Sequence, residues 1–166
     1  RQYLLGDSLL VAPIFQDDGK AVYYLPKGRW THLLSNKEVE GGSYREEAYD
    51  YFSLPLFVKP NTLLPIGSNK EKPDYTYNDQ TTFHLFALDD AKEAEAAVHA
   101  HDGTVLAVCK IKRDGTVYKV ALEGEMKSWA VCLRNLEEVV SVSCGSLSDS
   151  PEGALITFAA QEKECQ

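Results

Sequence analysis

The side chains in this 166-residue sequence with the chemistry to do work are four histidines, a serine in a compact motif and several adjacent acidic pairs. Ser8 stands in Gly6-Asp7-Ser8-Leu9, a setting in which a serine hydroxyl could attack an ester carbonyl. Such a hydroxyl is a weak nucleophile until a base takes its proton and a third group orients that base. His32, His84, His99 and His101 are the candidate bases. Four residues are a slight signal by themselves, and Gly6-Asp7 is read as a turn leading into an apolar strand.

His99 and His101 are two residues apart, so on a strand they share a face beside Asp102 and could begin a metal site. No third ligand accompanies them at a fitting spacing, and both are expected to face solvent at a hairpin. Asp17-Asp18 and Asp89-Asp90 are the acidic pairs, yet neighbouring side chains diverge and aspartates in such settings cap their own turns. Trp30, Tyr44, Tyr49, Tyr51, Tyr75, Tyr77 and Trp129 could form a sugar-stacking platform, but aromatics spaced this way on strands more often fill a core. These patterns assign no catalytic, cofactor-binding or metal-ligating residue.

The elements that would position these groups are short strands. Leu9–Phe15 is a continuous apolar run with Pro13 marking an edge or bulge, followed by Ala21–Leu25 and Arg29–Leu33. Gly41-Gly42 breaks the chain before a polar stretch rich in tyrosine, and Phe52–Val58 and Asn61–Ile66 close a first unit. The polar segment 69–75 reads as a linker between a first domain over 1–68 and a second over 76–166. The second is expected to be an antiparallel meander. Asp102-Gly103 and Asp114-Gly115 signal type I′ hairpins joining Ala94–His101, Thr104–Lys112 and Thr116–Leu122. Thr82–Leu88, Ser128–Leu133, Val139–Cys144 and Ala154–Phe158 complete it. Ala91–Ala100 is rich in helix formers, but its apolar residues alternate, and it is read as strand. The expected fold class is all-β, two small antiparallel β-sandwich domains in series.

A net charge of −8 argues against nucleic acid and anionic membrane as partners, because both attract basic surfaces. No apolar stretch is long enough for a transmembrane helix. Cys109, Cys132, Cys144 and Cys165 include no C-x-x-C pair and are read as reduced thiols of a cytoplasmic protein.

The wording of the sequence is more specific than its pattern. Gly6-Asp7-Ser8-Leu9 matches the signature of the G-D-S-L esterases, but the late histidine motif and the alternating helices of that family are missing. Gln2–Phe15, with Gly6-Asp7-Ser8-Leu9-Leu10-Val11-Ala12-Pro13, resembles the segment after the catalytic barrel in glycoside hydrolase family 31. Tyr24–Leu33 and Leu54–Gly67 extend the likeness. Beyond them, Pro73-Asp74-Tyr75, Phe83–Phe86 and Trp129–Asn135 resemble the distal domain of bacterial α-xylosidases in that family. The resemblance implies a retaining α-glycosidase that releases terminal α-linked xylose from oligosaccharides, with two barrel aspartates as nucleophile and acid–base. This sequence has no matching W-x-D-x-N-E motif, so no catalytic residue is carried over, and Arg1 is expected to follow a missing barrel from which residues 1–8 emerge. The expected partners are that barrel and the parent's oligosaccharide, with self-association of the chain alone through an uncovered apolar patch. An autonomous carbohydrate-binding module is the competing reading.

Overall fold

Glycine, proline and aspartate turns cut the chain into pieces of two to ten residues, too short for a helix to gain from propagation. The structure, a computed structural model, describes residues 1–136, 138–160 and 162 and the backbone of 164–165. Among the described residues every regular element is a β-strand, and the strands gather into two units, Arg1–Pro60 and Asn61–Gln166. The all-β sandwich class read from the sequence is the class observed.

The first unit contains β1 (Tyr3–Leu5), β2 (Leu9–Val11), β3 (Lys20–Leu25), β4 (Arg29–His32), β5 (Glu38–Glu40), β6 (Ser43–Ala48) and β7 (Leu56–Val58). Five of them form a sheet in the order β1-β2-β7-β4-β5, and β3 pairs with β6 as a separate ribbon. Period-two burial explains the layering: Ala21, Tyr23 and Leu25 point inward from β3 and meet Leu10, Trp30 and Phe57 of the sheet. Gln2 fastens the N-terminal segment to β3, its amide accepting from Tyr24 N–H at 2.7 Å and donating to Tyr24 O at 2.8 Å.

Two sequence expectations change here. The apolar run Leu9–Phe15 is a strand only to Val11, because Pro13 has no N–H to offer a ladder, and Phe15 ends exposed. The polar stretch around Gly41-Gly42 holds β5 and β6, where backbone pairing rather than apolar burial makes the strands.

The second unit contains β8 (Thr62–Gly67), β9 (Asp79–Phe86), β10 (Glu93–His99), β11 (Val105–Asp114), β12 (Val117–Gly124), β13 (Ser128–Arg134), β14 (Ser146–Ser150), β15 (Gly153–Ala159) and β16 (Glu164–Cys165). One sheet runs β10-β11-β12-β16 and the other β14-β15-β13-β9-β8. Phe83, Leu85, Trp129, Val131, Ile156 and Phe158 of the larger sheet pack with Val98, Cys109, Ile111 and Leu122 of the smaller one. Trp129 stacks on Phe158 with ring centroids 4.1 Å apart.

The strand Asn61–Ile66, expected to close the first unit, opens the second instead. β8 pairs antiparallel with β9 from Thr62↔Phe86 to Gly67↔Thr81, which buries Leu63 in the second core. Segment 69–75 is accordingly a connection within the second unit. The meander is incomplete as well: β10, β11 and β12 follow one another, but β9 lies parallel to β13. Val139–Cys144 forms no strand, and the edge partner of β15 is the polar β14.

Both Asp-Gly hairpins form, with other turn geometry than type I′. Asp114 pairs with Val117, so the loop is Gly115-Thr116, with positive φ (60°) at Gly115 and none at Thr116, the pattern of a type II′ turn. At the other hairpin Gly103 N–H donates to Ala100 O, Gly103 has φ 86°, and Ala100 N–H donates to Thr104 O. That is a three-residue loop closed by a left-handed glycine.

Trp129 is 2% exposed at the centre of the second core. Trp129→Ala should lose about 3–5 kcal/mol of unfolding free energy in urea titrations. Trp129→Phe, which keeps a stacking ring and removes an indole N–H that has no hydrogen-bond partner among the described residues, should lose much less.

Candidate functional site

Within the first unit, the histidine that a serine mechanism would need is committed elsewhere. Ser8 is half-buried between β1 and β2, and its carbonyl accepts from Lys59 N–H at 3.1 Å. The one histidine of the first unit, His32, is occupied on both ring nitrogens. Nδ1 lies 2.8 Å from Ser35 Oγ and Nε2 2.8 Å from Leu54 O, and the ring packs edge-on against Phe57. His32 is a buried brace between β4 and the approach to β7.

His99 and His101 do not share a face as a metal pair would. His99 ends β10 exposed, while His101 lies in the turn beyond it, 3.0 Å from Asp74 Oδ1 and tilted against Tyr77. Asp102 is committed to the turn, where its carboxylate accepts from Thr104 N–H and is thereby held below the usual aspartate range. The acidic pairs are turn caps too. Asp18 accepts from Lys20 N–H, Asp90 from the N–H groups of Ala91 and Gly115, and Asp89 from Asn61. Of the aromatics, Trp30 and Trp129 are core, Tyr49 is half-buried, and Tyr44 and Tyr51 are exposed.

Two polar clusters were invisible in the sequence. In the first unit Glu47 Oε2 accepts from Tyr23 Oη at 2.5 Å and from Tyr49 Oη at 2.6 Å, and Arg45 lies 3.4 Å from its other oxygen. Burial pushes the Glu47 carboxyl up, but the two phenols and Arg45 outweigh it and hold it below the ordinary glutamate range. The same burial, with the hydrogen bond to Glu47, pushes the Tyr49 phenol up to about 12. The cluster ties β3 to β6.

In the second unit His84, Cys132 and Glu152 place one ligand atom each within 4.8 Å of one another, close enough to suggest a metal centre. Arg134 argues against an ion there. Its Nε–H donates to His84 Nδ1 at 3.1 Å and its Nη2 lies 3.2 Å from Glu152 Oε1, so a fixed cation already uses both ligands. Its guanidinium also lies 5.0 Å above the Phe86 ring. Cys132 is a buried thiol pushed up by burial, which is the opposite of an activated cysteine. Burial likewise pushes the Cys109 thiol up to about 12. Cys144 is half-buried, and the side chain of Cys165 lies outside the described residues.

These residues share one origin. The parallel register sets Cys132 opposite His84, and Arg134 lies two residues on, on the same face of β13. The sequence signal, a histidine and an arginine inside apolar strands, is readable only once β9 and β13 are known to be neighbours.

Burial first, and then the Arg134 charge, lower His84 from its ordinary value to about 4, outweighing the Glu152 carboxylate 3.6 Å away. The folded protein thus binds fewer protons than the unfolded chain between pH 6.5 and about 4. Stability is full above pH 6.5 and falls with pH across that window, by at most about 3 kcal/mol. His84→Asn, whose carbonyl oxygen can still accept from Arg134, should flatten that slope in urea midpoints measured at pH 7 and pH 5.

The geometry defines a pair of β-sandwich units whose polar side chains hold strands together. Comparison with known proteins places that class. Residues 76–166 match the family described as the C-terminal domain of α-xylosidase YicI, and residues 1–64 match the glycosyl hydrolase family 31 C-terminal domain. The chain is 34% identical over 115 residues to α-xylosidase XylQ of Lactiplantibacillus pentosus, covering 68% of this chain and 15% of that protein. It is 30% identical over 106 residues to α-glucosidase 2 of Bacillus thermoamyloliquefaciens, covering 61% of this chain and 13% of that one. Among solved structures, a family 31 dextranase of Flavobacterium johnsoniae superposes with a TM-score of 0.77 at 17% identity, covering 99% of this chain and 26% of its own. An α-xylosidase of Xanthomonas citri gives 0.65 at 21% identity, covering 98% and 19%. The chain belongs to glycoside hydrolase family 31 and corresponds to the non-catalytic C-terminal domains of its members.

Proposed function

We propose that the chain serves as the C-terminal accessory region of a retaining α-glycosidase that removes terminal α-linked xylose from oligosaccharides. In this reading its own role is structural. The catalytic barrel of the same polypeptide supplies both carboxylates and docks against the first unit.

One observation carries the docking half of the proposal. β1 is an edge strand whose three residues, Tyr3, Leu4 and Leu5, are 51%, 62% and 54% exposed. An edge strand with open apolar side chains invites association, and proteins cover or charge such edges. The charge-free sequence Tyr-Leu-Leu fits a strand that is covered, and Phe15, also exposed, adds to the same apolar surface of the unit. The α-xylosidase half is supported by the family match over 76–166 and by XylQ. α-Glucosidase 2 among the relatives makes glucose release the outcome to measure against.

The chain alone should release no xylose or glucose from nitrophenyl glycosides, whereas the same chain joined to its upstream polypeptide should release xylose. Glucose release by the longer protein would move the parent to the α-glucosidase side. Purified alone, the chain should bind a dye for apolar surface and self-associate on size-exclusion chromatography. Leu4→Lys together with Phe15→Lys should reduce both; a dye-silent monomer before substitution counts against the docking role.

A further inference from the structure

Asp79 pairs with Ser128 and Thr81 with Trp129, so β9 carries one residue, Gln80, more than β13 can match. Gln80 takes φ +54°, left-handed backbone that a non-glycine residue adopts only under strain. Bulges of this kind re-aim a side chain, and this one is pinned in place. Gln80 N–H donates to Ser128 Oγ at 3.1 Å, Ser128 Oγ–H donates to Asp79 Oδ1 at 2.8 Å, and Ser68 Oγ–H donates to Gln80 Oε1 at 3.1 Å.

The pinned bulge borders an open cleft of about 530 Å³, lined among others by Ser68, Asn69, Glu71, Tyr75, Asp79 and Gln80. Tyr75 is fixed from two sides. Its hydroxyl rests where a Cβ on Gly67 would stand, and its ring meets Tyr77 edge-on with centroids 4.8 Å apart. The cleft lining also includes Gln80 and Asn69, whose NH₂ groups are donors, and Glu71 and Asp79, with the Glu71 carboxylate and the second Asp79 oxygen as acceptors. None of these four groups has a partner among the described residues.

We propose that the cleft is a binding site for a neutral oligosaccharide. An aromatic side chain in one cleft with carboxylates and carboxamides suits a pyranose, which presents C–H groups on one face and hydroxyls at its rim. Charge selects against the other ligand classes. Two carboxylates against the single Lys70 disfavour a phosphate, and the ammonium of Lys70 beside only two carboxylates disfavours a divalent cation. The choice of sugar rests on the parent acting on oligosaccharides; the site itself does not need that activity.

The test is a ¹⁵N NMR titration of the protein with methyl α-xyloside, a xyloglucan oligosaccharide and maltotriose in separate arms, and with calcium chloride in a fourth. A sugar arm should give saturable shifts at the amides of Tyr75 and Gln80. Glu71→Ala, which removes a carboxylate with no bond in the structure, and Gln80→Gly, which keeps the left-handed backbone, should each weaken the affinity roughly tenfold. Saturable shifts in none of the sugar arms at millimolar sugar, shifts mapping elsewhere on the unit, or a response to calcium alone would each overturn the proposal. Failure here leaves xylose release by the longer protein untouched, and loss of that activity leaves the titration readable.

Discussion

Asp79–Phe86 and Ser128–Arg134 lie side by side in parallel, although some forty residues separate them, and most of the second unit depends on that pairing. It places a strand buried along nearly its whole length at the middle of a five-stranded sheet. One face of the pair supplies Phe83, Leu85, Trp129 and Val131 to the core. The opposite face carries His84, Cys132 and Arg134, and the mismatch at its start throws Gln80 out of register. Core, polar cluster and cleft are three results of one register.

That pairing also marks the limit of what could be read from the sequence. Local signals worked where a structure is local: short apolar runs between turns gave β3 and β15, alternation gave β10, and the two Asp-Gly steps gave hairpins. They failed where a strand is defined by its neighbour. β5, β6 and β14 are polar and exist because a partner completes their ladders, whereas Val139–Cys144 is apolar and forms no strand among the described residues. Asn61–Ile66 was visible as a strand but not as a strand of the second unit, because pairing with β9 is a long-range choice. The turn class went the same way: an Asp-Gly step signals a hairpin, but the strand register decides which residues occupy the loop.

The polar clusters show why composition alone is a poor guide to a site. His84, Cys132 and Glu152 are residue types that bind metals, and they converge. What decides their role is the fourth member. Arg134 cannot lose its proton and cannot leave without stranding the buried His84 lone pair and freeing the half-exposed Glu152 carboxylate of its ion pair. A permanent cation supplied by the chain turns a potential ligand set into a structural joint. Tyr23, Glu47 and Tyr49 repeat the logic with two phenols in place of the guanidinium. Both clusters resemble catalytic groupings in their residue types, but their hydrogen bonds tie one strand to another.

Exposure of apolar side chains is unequal between the two units. Every strongly exposed aromatic residue among those described, Tyr3, Phe15, Tyr44, Tyr51 and Phe52, belongs to Arg1–Pro60. The second unit exposes only aliphatic residues such as Val105, Val117, Val140 and Leu147, far apart in sequence. Single exposed aliphatics are ordinary on any surface, whereas an uncharged edge strand with three exposed apolar residues invites association. Under the proposed docking role these exposed residues of the first unit would face the barrel. The cleft residues Tyr75, Asp79 and Gln80 are not among them, so the docking role and the binding role make no competing demand on the same residues.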